Sequence, residues 1–600
     1  MANEKKLVEG KWEITESTSF SSLTIADGAS IQAPDGKYVT LTVDGVTHTI
    51  QPGNYEGDIK LTLCDNYTRK SLRFGEETIS NYHAGVIVKD GKLLSENSVA
   101  AAVKGGSLTD SKAEGVSIKS VEWDFNGFVF DGDTDYEIDN ADIELIGDGT
   151  DDFVGMGAGI AAVGNTKLTI NNTKISNKGI GRGTLFVGGN ADVTMNNCDF
   201  RAYADEPTPE EFKAGQEAER MMEPPWAIGL KGNVRTLNLA EKGKLTLNNS
   251  HVVCNRWGVL SIDGACVNRM NINNSLIEIT GDNGYGFFCI ADDIMFDYAS
   301  FDEPGCLNIA SHSTFNVAYT AALMSLGNGC SEFKDGSVVN SKRFGVFCHR
   351  HNGGYLKINS GSAFNTEKSA IVVKGSNLHI ELDDAKFAPK NGTILQLMDN
   401  DDVGMCPDPF LIPVGEVDVR DERDLTTAIE DEDIFVSIKN MTADGDFLNS
   451  TTNFYACNRR LPRPEGFVEP PTPPGAEKLR GFIGNTLMGA KNLDVTIENA
   501  TVNGTISAAT AAYKEGLTRI DHDSCDELSN ITQTPTPAIN NGVIVKVEKD
   551  GVWNVASTSY LTKLEIKEGG KVNGASMTID GKAAELKPGS YSGQIVLTVA

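Results

Sequence analysis

Two histidines in the middle of the sequence, His349 and His351, are the residues best placed to do chemistry. Side chains two positions apart lie on the same face of a strand, so both imidazoles would point to one side. Imidazole titrates near neutral pH, and such a pair could act as general acid and base or as two metal ligands. A solvated corner is the alternative interpretation, and the sequence fixes no third ligand for a metal.

Aromatic and charged residues recur at matching positions around the short apolar runs near these histidines. Ring faces can stack on a flat or hydroxylated ligand, while cations and carboxylates can bind its oxygens and transfer protons. The predicted catalytic residues are His349, His351, Asp292 and Asp263, and the predicted substrate-binding residues are Trp257, Tyr285, Arg256, Arg343, Arg350 and Lys374. A buried aromatic ladder remains the alternative, because Trp257 shares a strand face with apolar Val259 as well as with Asp263.

The elements that must position these residues repeat about every 24 to 25 residues. Each repeat contains apolar runs of only four to six residues with alternating polarity, which predicts β-strands rather than helices. A small polar residue ends one run in each repeat, giving the column Asn172, Asn197, Asn249, Asn274, Ser311, Asp335, Ser360, Asp384 and Asn499. Stacked side-chain amides could hydrogen-bond from one repeat to the next, so this column is predicted to be scaffold.

This period and polar column resemble the right-handed parallel β-helix superfamily, which includes pectate-lyase-like enzymes, polysaccharide hydrolases, epimerases and adhesin-like repeat proteins. The resemblance covers residues from about 86 to 400 and from 484 to 510. It implies an all-β solenoid with three short strands in each turn. It implies much less about activity, since no catalytic signature of a single family is present.

The two ends of the chain carry related sequences. Ser17-Thr-Ser-Phe20 matches Ser557-Thr-Ser-Tyr560, and the block from Pro52 to Thr62 matches the block from Pro588 to Thr598. A related β module is therefore expected at each terminus, as a cap over an open sheet edge or as an oligomerisation module. The predicted domains are an N-terminal module (1–85), the β-helix (86–400), a long insertion (401–483), the last turns with a linker (484–540) and a C-terminal module (541–600).

Composition narrows the possible partners and the compartment. The 83 acidic residues outnumber the 53 basic residues, and a formal charge of −30 argues against binding to nucleic acid or anionic membranes. No run approaches the ~20 apolar residues of a membrane span, and the N-terminus lacks a signal-peptide core. The eleven cysteines form no CxxC pair. A cytoplasmic, reducing location is expected, or a secreted or cell-surface one if a leader was removed.

Metal binding has only weak sequence support. Three aspartate-rich stretches, 131–135, 148–152 and 399–402, could bind calcium, but none matches the spacing of an EF-hand loop. Solvated turns are the alternative interpretation. No cofactor is therefore predicted, with a divalent metal such as calcium left open.

Two functions from different classes remain. The first is an enzyme acting on a carbohydrate or similar polyhydroxylated or aromatic compound, by lyase, hydrolase or isomerase chemistry on the outer face of the central turns. The expected partner is a small-molecule or saccharide ligand, and the end modules could form a homo-oligomer. The second function is a non-catalytic, adhesin-like scaffold or binding protein, for which the repeats and end modules would suffice.

Overall fold

The structure is a computed structural model that describes most of the chain. The described residues are 5–73, 76–205, 234–262, 268–281, 284–291, 306–317, 321–327, 329–351, 354–375, 377–399, 401, 433–451, 455–456, 487–488, 491–517, 527–539 and 541–599. They form two compact units, unit 1 up to residue 281 and unit 2 from residue 284 onward. Both units consist almost entirely of strands in long, mostly parallel sheets, which confirms the all-β prediction.

The described part of unit 1 contains three large sheets and one two-stranded sheet. Sheet 1 contains Lys5–Val8, Thr18–Ile25, Lys37–Val43, Val46–His48, Gly53–Asp65, Val103–Lys104, Ser117–Val121, Asp142–Ile146, Lys174–Lys178, Asp199–Tyr203, His251–Cys254 and Leu276–Ile279. Sheet 2 contains Tyr67–Arg73, Glu76–Lys89, Lys92–Leu93, Phe125–Asp131, Ile160–Ala162, Leu185–Val187, Arg235–Leu239 and Gly258–Ile262. Sheet 3 contains Ser107–Leu108, Lys112–Glu114, Asp135–Asp139, Lys167–Asn171, Asp192–Asn196, Lys244–Asn248 and Asn268–Asn273. Lys11–Glu13 pairs with Ser30–Gln32, and Ala100–Ala102 forms a 3-10 helix.

Unit 2 has a strand order of the same kind. Sheet 4 contains Tyr285–Ala291, Ala321–Gly327, Phe344–His351, Ile371–Val373, Thr393–Met398, Asp446–Ser450, Ile506–Ala512 and Thr532–Pro535. Sheet 5 contains Cys306–Ser311, Cys330–Lys334, Tyr355–Asn359, Leu378–Asp383, Ile434–Lys439, Leu493–Glu498, Val543–Val547, Ser559–Ile566, Ala575–Ile579, Lys582–Ala584 and Gly589–Val599. Sheet 6 contains Thr314–Val317, Val338–Ser341, Ala363–Thr366 and Lys386–Pro389, and sheet 7 contains Thr442–Asp444, Thr501–Gly504, Val552–Val555 and Lys571–Asn573. A short pair joins Tyr455–Ala456 to Leu487–Met488.

Burial explains why these short segments are strands. In sheet 3, Lys167–Asn171, Asp192–Asn196 and Lys244–Asn248 alternate between buried and accessible residues, as expected for strands with one wet face. In sheet 2, Phe125–Asp131 and Gly258–Ile262 are buried along their whole length, like parallel strands covered on both faces. Sheet 3 therefore buries one face of these strands, and sheet 2 buries both.

The polar column forms the corners that the sequence predicts. Its members adopt the left-handed conformation, with φ between 46° and 54°, in every case except Ser311. The corner residue there is His312 at φ 49°, so the sequence alignment was wrong by one position in that repeat. Asn274 donates a hydrogen bond to Asn249 (2.7 Å) on the exposed corner, and a parallel ladder joins Asn273 to Asn248 (3.0 Å). The scaffold role predicted for the column is confirmed at these positions.

The predicted long insertion of 401–483 needs a correction. Ile434–Lys439 pairs in parallel with Leu378–Asp383 on one side and with Leu493–Glu498 on the other, so residues 433–451 form an ordinary repeat. Its corner is Asn440, at φ 52°. The repeat was overlooked because residues 402–432, which lie outside the described residues, separate it from the preceding corner and hide the period.

The two end segments contain the same antiparallel arrangement. Thr18–Ile25 pairs with Gly53–Asp65 and Ser559–Ile566 pairs with Gly589–Val599, each with a single register shift. Phe20 faces Ile59 and Leu561 faces Ile595. Since the pairing equates Phe20 with Leu561 rather than with Tyr560, the sequence match of this strand was one residue out of register.

Candidate functional site

The unit 1 part of the predicted site is centred on Trp257, which is buried. Trp257 lies just before Gly258–Ile262 with φ at 68°, a conformation that is rare for a bulky residue. The guanidinium carbon of Arg235 lies 4.7 Å from the centroid of the Trp257 ring and 4.7 Å from that of Phe153. Arg235 also donates to the Asp152 carboxylate at 2.8 Å, with both side chains buried. Trp257 thus packs against a buried arginine that is already paired with Asp152.

Of the two other residues predicted for the site in unit 1, the structure describes Arg256 but not Asp263. Arg256 is half-buried, and its backbone carbonyl accepts a hydrogen bond from the Cys254 thiol at 2.8 Å. Burial raises the pKa of the Cys254 thiol to about 11, so it is not a thiolate at neutral pH. Asp263, the predicted acid partner, lies outside the described residues.

In unit 2, Lys374 is fully buried beside a carboxylate. Its ammonium forms an ion pair with Asp401 and lies 4.6 Å from the centroid of the Phe347 ring. The Asp401 carboxylate also accepts hydrogen bonds from the Tyr513 hydroxyl (2.8 Å) and the Ser529 backbone N–H (2.7 Å). Burial acts to raise the pKa of Asp401, but the charge of Lys374 and these hydrogen bonds hold it below its usual value.

Two further predicted binding residues of unit 2 are also buried. The Arg343 side chain is 5% exposed, donates to the Leu528 carbonyl and has its guanidinium carbon 5.1 Å from the Phe344 ring centroid. Tyr285 is fully buried at the start of its strand. Arg343 bonds Leu528 directly, and Asp401, the partner of Lys374, bonds Ser529. The two cations thus help to hold a distant part of the chain in place.

The histidine pair lies on the strand Phe344–His351, whose register changes at this point. Ser325 faces Cys348 but Leu326 faces Arg350, so His349 is the extra residue of a β-bulge. The structure describes the backbone of His349, Arg350 and His351 but not their side chains, and Asp292 lies outside the described residues. The predicted parity of the two histidines assumed an unbroken strand, which the bulge interrupts.

Arg182 is the residue that sequence reasoning overlooked most clearly. It is fully buried and donates to the carbonyls of Glu122 (2.8 Å), Phe125 (2.9 Å), Asp148 (3.1 Å) and Gly147. Four carbonyl acceptors satisfy most of a guanidinium group and fix two chain corners to each other. A signal was present, since an arginine also stands just before the strand at Arg256 and Arg343.

One aspartate of each aspartate-rich stretch supplies its carboxylate to an internal partner. Asp131 accepts from the Tyr67 hydroxyl at 2.6 Å, while Asp152 and Asp401 pair with the buried cations described above. Among the residues that the structure describes, no cluster of three or more histidine, cysteine or acidic side chains could hold a metal ion. The same part of the chain contains no helix that is long and apolar enough to span a bilayer.

Comparison with known proteins adds no identification. No protein-family model matches this chain, and a search of curated proteins finds no similar sequence. Chemically, each unit offers a buried cation that lies over an aromatic ring and is paired with an aspartate.

Proposed function

We propose that this chain is a right-handed parallel β-helix that works as a non-catalytic scaffold or binding protein. Support for the coil comes from the strand order within unit 1. Asp142–Ile146, Ile160–Ala162 and Lys167–Asn171 belong to sheets 1, 2 and 3, and the next strand, Lys174–Lys178, returns to sheet 1. A chain that visits three sheets in rotation is the topology expected of a solenoid.

The observation that carries the scaffold function is the burial of the predicted binding side chains. Trp257, Tyr285, Arg343 and Lys374 are each at most 5% exposed. A ligand platform needs ring faces and polar groups that a ligand can reach. The cation of Lys374 and the carboxylate of Asp401 instead neutralise each other, which favours a role in holding the fold together.

One observation favours the second candidate function, an enzyme acting on a carbohydrate by lyase, hydrolase or isomerase chemistry. Bulges are enriched beside active sites because they redirect a side chain, and the bulge in unit 2 falls on His349. In this alternative, His349 or His351 would be the base, with Asp263 or Asp292 as acid partner and Arg350 as an oxygen-binding residue.

A thermal-shift experiment separates the two functions. Wild type, His349→Ala, His351→Ala and the control His379→Ala, an exposed residue of Leu378–Asp383, are melted with sugars, uronates, polyphenols and divalent metals. The scaffold function predicts that no compound produces a stabilisation that depends on either central histidine. A compound that stabilises wild type and His379→Ala but neither central variant, and that is turned over by wild type, would replace the scaffold with the enzyme.

A further inference from the structure

Unit 1 carries an exposed apolar surface that the predicted site does not include. Trp123 is 61% exposed, Ile146 42% and Val121 37%, although large apolar side chains are usually buried. Ser120 faces Leu145 in the parallel pairing of their strands, so Val121 and Ile146, which follow them, are neighbours. We call Val121, Trp123 and Ile146 the tryptophan platform.

The indole of Trp123 is seated on a glycine. A Cβ added to Gly147 would lie 2.9 Å from Trp123 Cδ1, so the ring lies directly against this backbone, whose φ is 110°. The Trp123 backbone N–H also donates to the Thr49 hydroxyl at 3.3 Å. A side chain on residue 147 would push the indole away, so the glycine permits the close seating of the ring.

Buried Arg182 links the two backbone segments that form this seat. It donates to the carbonyl of Glu122, just before Trp123, and to those of Gly147 and Asp148, just after Ile146. The Glu122 carboxylate lies 3.3 Å from His83 Nδ1, which holds the same corner from the other side. A preorganised aromatic ring loses little conformational entropy on binding, which is an advantage for a ligand site.

The surroundings of the platform are polar and include two ion pairs. Lys119 pairs with Glu144 at 2.8 Å on one side of it. Across the sheet, Ile146 faces Lys178 and Lys178 faces Tyr203, so a second ring lies two strands, or about 10 Å, from Ile146. Lys178 forms an exposed ion pair with Asp205 at 3.3 Å. The rings of Trp123 and Tyr203 can contact the apolar faces of a ligand, and the surrounding charged groups can bind hydroxyl groups at its edges.

The structure assigns this surface to a neutral polysaccharide chain. Its apolar area is on the order of 300 Å², well below the roughly 800 Å² per partner of a stable protein interface. The charge of −30 on the chain, together with paired charges at the platform, disfavours an anionic polymer. Stacking of the Trp123 face on sugar C–H groups supplies the affinity, while Tyr203 and Lys178 bind hydroxyl groups.

Affinity gel electrophoresis of the full chain tests this assignment. Native gels contain hydroxyethyl cellulose or xylan as neutral polymers, or polygalacturonate as the anionic one. At least one neutral polymer should retard wild type, and Trp123→Ala should raise the dissociation constant about tenfold, while Trp123→Phe retains part of the affinity. Ile79→Ala, which removes another exposed side chain of unit 1, should bind like wild type.

Three results would overturn the assignment. They are retardation by no neutral polymer, retardation that is unchanged in Trp123→Ala, and retardation by polygalacturonate alone. Sedimentation of wild type and Trp123→Ala adds a fourth, because self-association lost in the variant would make the platform a contact between copies. The thermal-shift experiment above addresses the central histidines of unit 2, so either proposal can fail while the other stands.

Discussion

The two units each bury an aspartate against a cation, but they use different cations in different settings. In unit 1, the guanidinium of Arg235 lies over the rings of Phe153 and Trp257 and donates to Asp152. In unit 2, Lys374 lies over the Phe347 ring, and its partner Asp401 also accepts hydrogen bonds from Tyr513 and Ser529. Burial of the first pair relies on contacts between the arginine and aromatic rings. Burial of the second pair relies on additional hydrogen bonds to the carboxylate.

This difference shows why the same residue types were difficult to assign from sequence. A planar guanidinium is weakly hydrated and stacks on rings, so it can be buried with one carboxylate and two aromatic faces. A compact ammonium is strongly hydrated, and its carboxylate partner needs additional hydrogen bonds before burial is tolerable. Both settings place a tryptophan or phenylalanine beside a cation, which is also what a ligand site requires.

Removing the cation of unit 2 should have the largest effect. Lys374→Met leaves Asp401 buried without its counter-charge, and we expect the free energy of unfolding to fall by about 3–5 kcal/mol. Chemical denaturation followed by far-UV circular dichroism measures this change. The double variant Lys374→Met/Asp401→Leu should recover most of the loss. A single variant as stable as wild type would show that the pair is not required for the fold.

Exchanging the arginine of unit 1 for lysine should have an intermediate effect. Arg235→Lys keeps the charge near Asp152 but loses the planar contacts with Phe153 and Trp257, and should cost about 2 kcal/mol. The control is Arg201→Lys, whose accessible pair with Asp199 should be worth less than about 1 kcal/mol. Equal costs for the two variants in denaturant titrations would mean that ring stacking does not distinguish the units.

Acid should reduce the stability that the Lys374–Asp401 pair of unit 2 provides. The pKa of Asp401 is lowered in the folded chain, so the unfolded state takes up its proton first as pH falls. The stabilisation is complete above the unfolded pKa of about 3.9 and is lost as pH falls through the folded pKa. Denaturation midpoints measured from pH 7 to pH 2 should decline less steeply below pH 4 in Lys374→Met/Asp401→Leu. Parallel declines would contradict this origin.

Substitutions in the asparagine ladders, which both units possess, should have the smallest effects on stability. They provide a baseline for the two buried pairs. Asn274→Ala removes an exposed ladder bond and places alanine at φ 46°, for a cost of about 1–2 kcal/mol. Asn365→Ala removes only a ladder bond to Asn340, for a cost of at most about 1 kcal/mol. Thermal melts compare the two. A larger loss for Asn365→Ala would exclude the corner conformation as the cause.

Sequence reasoning succeeded where the signal was local. Asparagine tolerates the left-handed conformation and its amide can stack, so corners such as Asn172 and Asn499 are legible from residue type and period. The burial of Lys374 could not be predicted from the sequence. Its partner Asp401, and the residues Tyr513 and Ser529 that bond Asp401, come from sequence positions far from it. Exposed Trp123 was missed for a similar reason, since its seat on Gly147 arises only from the pairing of two strands.

The regular stacking of the strands also determines how each unit can come apart. Within a parallel sheet, a strand such as Lys167–Asn171 bonds only to the strand on either side of it. Stability in such an array is close to a sum of nearest-neighbour terms, like a one-dimensional chain of coupled segments. A substitution that destabilises one repeat then also destabilises the adjacent repeats. Unfolding can begin wherever the interaction between adjacent repeats is weakest. Amide hydrogen exchange should therefore vary in steps, repeat by repeat, along each unit.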